Sequence, residues 1–226
     1  MHRGNTILIA ALLGCLLAIA CGTSRLPRAR AMNASPDSPH LDIFVNSILI
    51  GRDLAYRNAS GYERIDSSFG DLAVFAARSN DLLLEDVPFF AERQDYTVVV
   101  LDFVEFLDFA LLADDNSAPM PGNFRLRFVH ASPTAKAVDF YITAPGADLT
   151  TAQPSFADVA FKGFAGYANL PQGAFQLRVT SAGTKEVLAD TGALTFAAGQ
   201  VRTAVLVNPP GSATVPLSIV LLQDVQ

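Results

Sequence analysis

Arg127-Phe128-Val129-His130-Ala131-Ser132-Pro133, followed by Ala137-Val138-Asp139-Phe140-Tyr141, is the stretch whose reading decides the fold. Leu126 to Val129 and Val138 to Ile142 are β-branched and aromatic runs. They flank a Ser-Pro pair, and the residue before a proline is pushed towards extended or turn geometry. This is a strand, a turn and a second strand. The same device occurs 97 residues earlier, where Ala34-Ser35-Pro36 is followed by Asp42-Ile43-Phe44-Val45.

Working outward, the correspondence continues in order. Leu54-Ala55-Tyr56 with Gly61-Tyr62 recurs as Val159-Ala160-Phe161 with Gly166-Tyr167. Gln94 with Thr97-Val98-Val99 matches Gln200 with Thr203-Ala204-Val205, and Leu111-Leu112-Ala113-Asp114 matches Leu221-Leu222-Gln223-Asp224. The offset drifts from 97 to 110, as it should if insertions fall in loops. Two homologous domains are expected, over 28–115 and 124–226, with a linker at 116–123 that contains Pro119 and Pro121-Gly122.

Each unit reads as β. Phe175 to Thr180 alternates apolar and polar, as a half-buried strand does, while Thr97–Leu101, Thr203–Val207 and Leu217–Leu222 are short apolar runs. Asn46-Ser47 and Pro209-Pro210-Gly211 are turn signals. No window after residue 30 carries a long, capped pattern of helical period. The expectation is all-β: two tandem small antiparallel β-sandwiches of Ig-like type, each with about seven strands.

Composition agrees. Of 226 residues, 50% are hydrophobic and 17% charged, which excludes a disordered chain. The net charge of −6 argues against a nucleic-acid partner, which would need surplus Lys and Arg.

Residues 1–20 read as a lipoprotein signal peptide, with Arg3 as the basic start and Ile7 to Ala20 as an apolar run too short to span a bilayer. It ends in Leu17-Ala18-Ile19-Ala20-Cys21, which resembles a bacterial lipobox and marks Cys21 for lipidation. Leu12-Leu13-Gly14-Cys15 is a second, less suitable box, and an ordinary secretory signal is the plainer reading. Cys15 and Cys21 are the only cysteines, so no disulfide is expected in the mature domains. Gly22 after Cys21 favours the outer membrane by the lipoprotein sorting rules that the resemblance implies. Residues 21–27 form the tether. Arg25, Arg28 and Arg30 would lie close to anionic headgroups or along a solvated tether.

The opening run, with Gly166-Tyr167, Pro171-Gln172-Gly173 and Gly199-Gln200-Val201-Arg202-Thr203, resembles the bacterial family known as domain of unknown function 4397. The resemblance covers both units. In the first unit Asn33 replaces His130, and Asp66-Ser67-Ser68-Phe69-Gly70 replaces the Pro-x-Gly. It implies a tandem β module carried on a lipoprotein, and it names no reaction.

His130, Ser132 and Asp139 hold the three residue types of a hydrolytic triad within ten positions. A triad needs Ser beside His and His beside Asp. The structural alternative is that Ser35, Asp42, His130, Ser132 and Asp139 brace turns by satisfying loop N–H groups. Asp37, Asp42, Asp102, Glu105, Asp108, Asp114 and Asp115 are oxygen donors of the type calcium takes, but without the spacing of a calcium loop. His40 and His130 stand at non-equivalent repeat positions, which disfavours zinc. No metal site and no cofactor are expected. Tyr62, Tyr167 and Phe164 are candidates for sugar stacking or for ordinary packing. Phe103, Phe106 and Phe109, alternating with Asp102, Glu105 and Asp108, form a candidate contact patch between domains or with a partner. The functional expectation is a non-catalytic lipoprotein of the outer membrane with a binding or scaffolding role. Its partners would be the membrane, through the lipid, and an envelope protein or polysaccharide. The alternatives are a hydrolase of envelope or extracellular polymer, and a polysaccharide-binding or adhesion module.

Overall fold

The computed structural model describes residues 25–66, 68–211 and 215–224. The signal segment 1–20 and Cys21 lie outside the described residues. The first repeat contains β1 (Arg28–Asn33), β2 (Leu41–Val45), β3 (Ile48–Leu54), β4 (Glu63–Arg64), β5 (Ser68–Phe69), β6 (Leu72–Ala76), β7 (Leu82–Asp86), β8 (Phe89–Phe90), β9 (Asp95–Leu101) and β10 (Asp108–Asp114). The second contains β11 (Asn123–His130), β12 (Val138–Thr143), β13 (Phe156–Val159), β14 (Phe164–Pro171), β15 (Gly173–Ser181), β16 (Val187–Phe196), β17 (Val201–Val207) and β18 (Ser218–Gln223). A single 3-10 turn, Val104–Phe106, is the helical element among the described residues.

The two repeats share one strand plan. The first has sheets ordered β10-β9-β1-β4 and β3-β2-β6-β7, with a small β5–β8 pair; the second has β18-β17-β11-β14 and β13-β12-β15-β16. Asn46 and Ser47 both take left-handed φ, 48° and 66°, which is the tight turn that joins β2 to β3. In the second repeat β15 and β16 pair along their whole length, whereas in the first the matching hairpin is divided into β6–β7 and β5–β8.

One expectation is corrected. One sheet of each repeat is mixed, because β1 runs parallel to β9 and β11 runs parallel to β17, while the other sheet is antiparallel throughout. After Asn33 the chain crosses to the opposite sheet at the Ser-Pro turn. It returns to the first sheet at β4 (β14 in the second repeat), antiparallel to β1 (β11), leaves it again, and comes back at β9 (β17) by a connection long enough to bring that strand in parallel.

Side-chain alternation places two sandwich cores and a third apolar layer. Tyr96, Val98 and Val100 of β9 join Ala29, Ala31, Ile43 and Val74 in the first core. Phe124, Leu126 and Phe128 of β11 join Phe140, Val179 and Leu206 in the second, where Phe128 stacks on Phe140 at 4.3 Å. The opposite faces of the same strands meet each other. Met32, Val99, Leu101 and Leu112 pack with Val129, Val205, Val207 and Leu222. Strands such as β9 and β17 are therefore covered on both faces, which is why Val98–Leu101 and Ala204–Val207 read as unbroken apolar runs.

Candidate functional site

The polar centre of the molecule lies where the two repeats meet. Arg30 of β1 and Arg127 of β11 occupy equivalent positions and are both buried. Each crosses to the other repeat. Arg30 donates from Nε to Thr97 Oγ1 at 2.8 Å, from one terminal nitrogen to the Gln223 carbonyl at 2.6 Å, and from the other to Asp224 Oδ1 at 2.5 Å. Arg127 donates from Nε to Thr203 Oγ1 at 2.7 Å, to the Ala113 carbonyl at 3.1 Å, and to Asp114 Oδ1. Thr97 in turn donates to Asp114 Oδ2 at 2.7 Å, and Thr203 to Asp224 Oδ2 at 2.7 Å. These bonds close a ring: Arg30, Thr97, Asp114, Arg127, Thr203, Asp224 and back to Arg30.

Two tyrosines seal it. Tyr62 donates to Asp114 at 2.6 Å and lies under the Arg30 guanidinium; Tyr167 donates to Asp224 at 2.7 Å and lies under Arg127. Burial, reinforced by Asp114, raises the Tyr62 phenol above its ordinary pKa. Burial also raises that of Tyr167, with Asp224 adding to it and Arg127 opposing it. Both hydroxyls stay protonated and donate. Burial works against the charge on Arg127, but Asp114, Tyr167 and Asp224 together hold its pKa above the usual value. Buried ions need this completeness, since a charge removed from water without partners costs several kcal/mol, on the order of 3–5 when one partner of a buried pair is deleted.

The same reciprocity appears at the rim. Arg57 donates to the Asn208 carbonyl at 2.6 Å, and the equivalent Lys162 lies 2.5 Å from Asp108 and 3.9 Å from Asp102. The interface is thus isologous within one chain: the same patch, used twice about a pseudo-two-fold axis.

The residues singled out in the sequence fall elsewhere, and no catalytic relay assembles from them. His130 is buried, with Nε2 at 2.9 Å from the Lys136 carbonyl and Nδ1 at 3.3 Å from the Ser132 amide. That pattern assigns the proton to Nε2, and burial depresses the imidazole pKa. Ser132 Oγ donates away from the ring, to Asn208 Oδ1 at 2.5 Å. Asp139 accepts from the Asp158 and Gly183 amides at 2.8 and 2.9 Å, and Asp42 accepts from the Asp53 amide at 2.7 Å. His130, Asp139 and Asp42 therefore brace turns. Ser132 bonds a side chain instead of a loop amide. Ser35 departs further, since its buried hydroxyl has no hydrogen-bond partner among the described residues and braces nothing there.

Asn33 explains the missing histidine of the first repeat. Its Oδ1 accepts the Ser35 amide at 3.1 Å, and its Nδ2 donates to the Pro39 carbonyl at 3.4 Å and to the Leu54 carbonyl at 3.0 Å. Both side chains accept from the amide two residues on and donate to the carbonyl six residues on, and the second N–H of the amide reaches Leu54 besides.

The phenylalanine patch is also corrected. Phe106 is 64% exposed, but Phe109 packs against the first core and Phe103 is half-buried. The acids of that segment do make an inter-repeat contact, through Lys162. Arg30 is withdrawn from the membrane-facing arginines, being locked in the ring, and Arg28 and Arg25 both bind Asp95. Two of the candidate calcium donors are engaged as well. Asp37 accepts the Val104 amide at 2.9 Å, and Asp115 is held at a pKa of about 2 by Arg125 and Ser117. Among the described residues no group of three or more His, Cys, Asp or Glu is placed to hold a metal.

The ring itself is half-visible in the sequence. Thr97/Thr203, Asp114/Asp224 and Tyr62/Tyr167 are among the matched letters, but their arginine partners do not stand out. The signal is a pair of arginines recurring at the same strand positions of both copies, Arg28 and Arg30 in one and Arg125 and Arg127 in the other.

Fold and interface define a class: a tandem β-sandwich protein whose two copies are locked face to face by a shared buried ion network. Within that class, the chain belongs to the family described as domain of unknown function (DUF4397), whose sequence model matches residues 27–141. The match spans the first repeat, the more eroded copy in sequence, and the opening motif of the second. No curated protein matches the sequence. Among solved structures, a family 41 carbohydrate-binding module from a streptococcal virulence factor, described for alpha-glucan recognition, is 11% identical, with a TM-score of 0.28 over 85% of this chain and 95% of that one. A family 26 module from Eubacterium rectale Amy13K, in complex with maltoheptaose, is 8% identical, with a TM-score of 0.27 over 87% and 96%. Likeness at this level transfers no ligand.

Proposed function

We propose that the protein is a non-catalytic scaffold of the bacterial envelope, tethered to the outer membrane by lipid on Cys21 and presenting a rigid double-sandwich body to a protein or polysaccharide partner. The observation that carries the non-catalytic half is the orientation of His130, Ser132 and Asp139, each turned to a different structural partner. A cleft of about 560 Å³ is lined by charged and polar groups, several of them already paired with each other, among them Arg28 with Asp95. That differs from the apolar pocket with a few converging polar groups that substrates select. The tether half is supported by the apolar run ending in Leu17-Ala18-Ile19-Ala20-Cys21.

The test is membrane fractionation and crosslinked pulldown of the chain beside Cys21→Ser. The wild type is expected in the membrane fraction with a specific partner, and Cys21→Ser in the soluble fraction. Hydrolysis of an envelope polymer that disappears in a folded His130→Ala variant would overturn the scaffold reading in favour of a hydrolase.

A further inference from the structure

The β5–β8 pair carries two aromatic rings that the fold does not use. Phe69 is 68% exposed and Phe89 55%, and their rings lie together at 5.3 Å between centroids. The second repeat shows what this position requires. There Gly173 pairs with Phe196 and Ala174 with Thr195, just as Ser68 pairs with Phe90 and Phe69 with Phe89. The inner members, Phe90 and Phe196, are both buried. The outer pair is Ala174 and Thr195 in one copy and two phenylalanines in the other. Packing explains the first choice and leaves the second unexplained.

Position supplies the reason. The Arg93 amide donates to the Arg25 carbonyl at 2.9 Å, and the Ile65 amide to the Pro27 carbonyl at 3.0 Å. Phe89 is four residues from Arg93, and Phe69 four from Ile65; such a span reaches at most about 14 Å. Both rings therefore stand close to Arg25, where the described chain begins, and Cys21 is only four residues further back. Val87 and Leu26 add exposed apolar surface at the same end. The charges there are of both signs, with Arg25, Arg64 and Arg93 beside Glu63, Asp66 and Glu92, so apolar contact rather than net charge selects the partner.

We propose that Phe69 and Phe89 dock this end of the first repeat into the headgroup–acyl boundary of the bilayer that holds the lipid anchor, fixing the orientation of the body on the membrane. The proposal rests on the tether reading above. The chain has no tryptophan, so Phe89→Trp introduces a unique fluorophore at the predicted contact and Thr195→Trp one at the matching site of the second repeat. Each lipidated variant is reconstituted into phosphatidylethanolamine–phosphatidylcholine vesicles containing nitroxide-labelled lipid. The indole of the Phe89→Trp variant is expected to be quenched and blue-shifted, equally at low and high salt, and that of the Thr195→Trp variant to be unaffected. Phe69→Trp repeats the measurement from the neighbouring strand. Protein that floats with vesicles while the indoles of both the Phe69→Trp and the Phe89→Trp variants stay unquenched overturns the docking and leaves the anchor standing. Protein that does not float overturns the anchor, and the docking with it. A fluorescence response of the Phe89→Trp variant to soluble envelope polysaccharide, without quenching by lipid, overturns the proposal and assigns the pair to sugar stacking.

Discussion

The two repeats differ most where they face outward and least where they face each other. On the inner face, Arg30, Tyr62, Thr97 and Asp114 are repeated as Arg127, Tyr167, Thr203 and Asp224, with each arginine completing the other copy's set. On the outer face, Phe69 and Phe89 stand against Ala174 and Thr195. Between these extremes, Asn33 and His130 use different chemistry for one turn. A buried ionic ring tolerates no single change, because each member satisfies two others. A turn accepts any side chain with the right donor and acceptor, and an exposed strand position accepts almost anything.

The largest expected break in this comparison is Asp114→Ala. It leaves the Arg127 guanidinium buried without its carboxylate, and a loss of about 3–5 kcal/mol is expected in denaturant unfolding. Asp224→Ala should cost the same within error, through Arg30; clearly unequal losses would deny the symmetry. Next comes Tyr167→Phe, which removes one hydrogen bond to a buried carboxylate and should cost about 1.5–3 kcal/mol, with Tyr62→Phe close behind. His130→Asn imports the first repeat's solution and should change stability at neutral pH by less than about 1 kcal/mol. Its sharper readout is pH. Burial lowers the folded pKa of His130, so the unfolded chain takes up a proton that the folded chain refuses. Stability from this site is full above the unfolded value of about 6.5 and declines as pH falls from there towards the lower folded value. Asparagine cannot titrate, so the variant should lose that part of the decline; an unchanged acid profile would deny the assignment. The smallest effect is expected of Phe89→Ala, within about 0.5 kcal/mol, since the ring is exposed. A large loss would return the aromatic pair to the structure and remove its reason for facing the membrane.

Much of this is legible in the sequence. Period-two patterns and the Ser-Pro turns mark the strands, and the ordered matches mark the repeat. Strand direction is not legible, because β1 and β9 look the same to the eye whether they run parallel or antiparallel. The runs Thr97–Leu101 and Thr203–Val207 do announce burial on both faces, but a run of apolar letters does not say which surface covers the second face. Phe103, Phe106 and Phe109 mislead because their spacing fits a patch, whereas the 3-10 turn at Val104–Phe106 rotates the three rings to different surroundings. Phe69 and Phe89 escape notice for the opposite reason: they lie 20 positions apart in sequence, and only strand pairing sets them side by side.

The pseudo-two-fold face has one more consequence. Two separate chains that met through it would come apart on dilution, whereas halves joined by the eight residues between β10 and β11, 115–122, face each other at an effective concentration that does not depend on how sparse the protein is. A component present in few copies can thereby keep its full shape while each outer surface changes independently of the other.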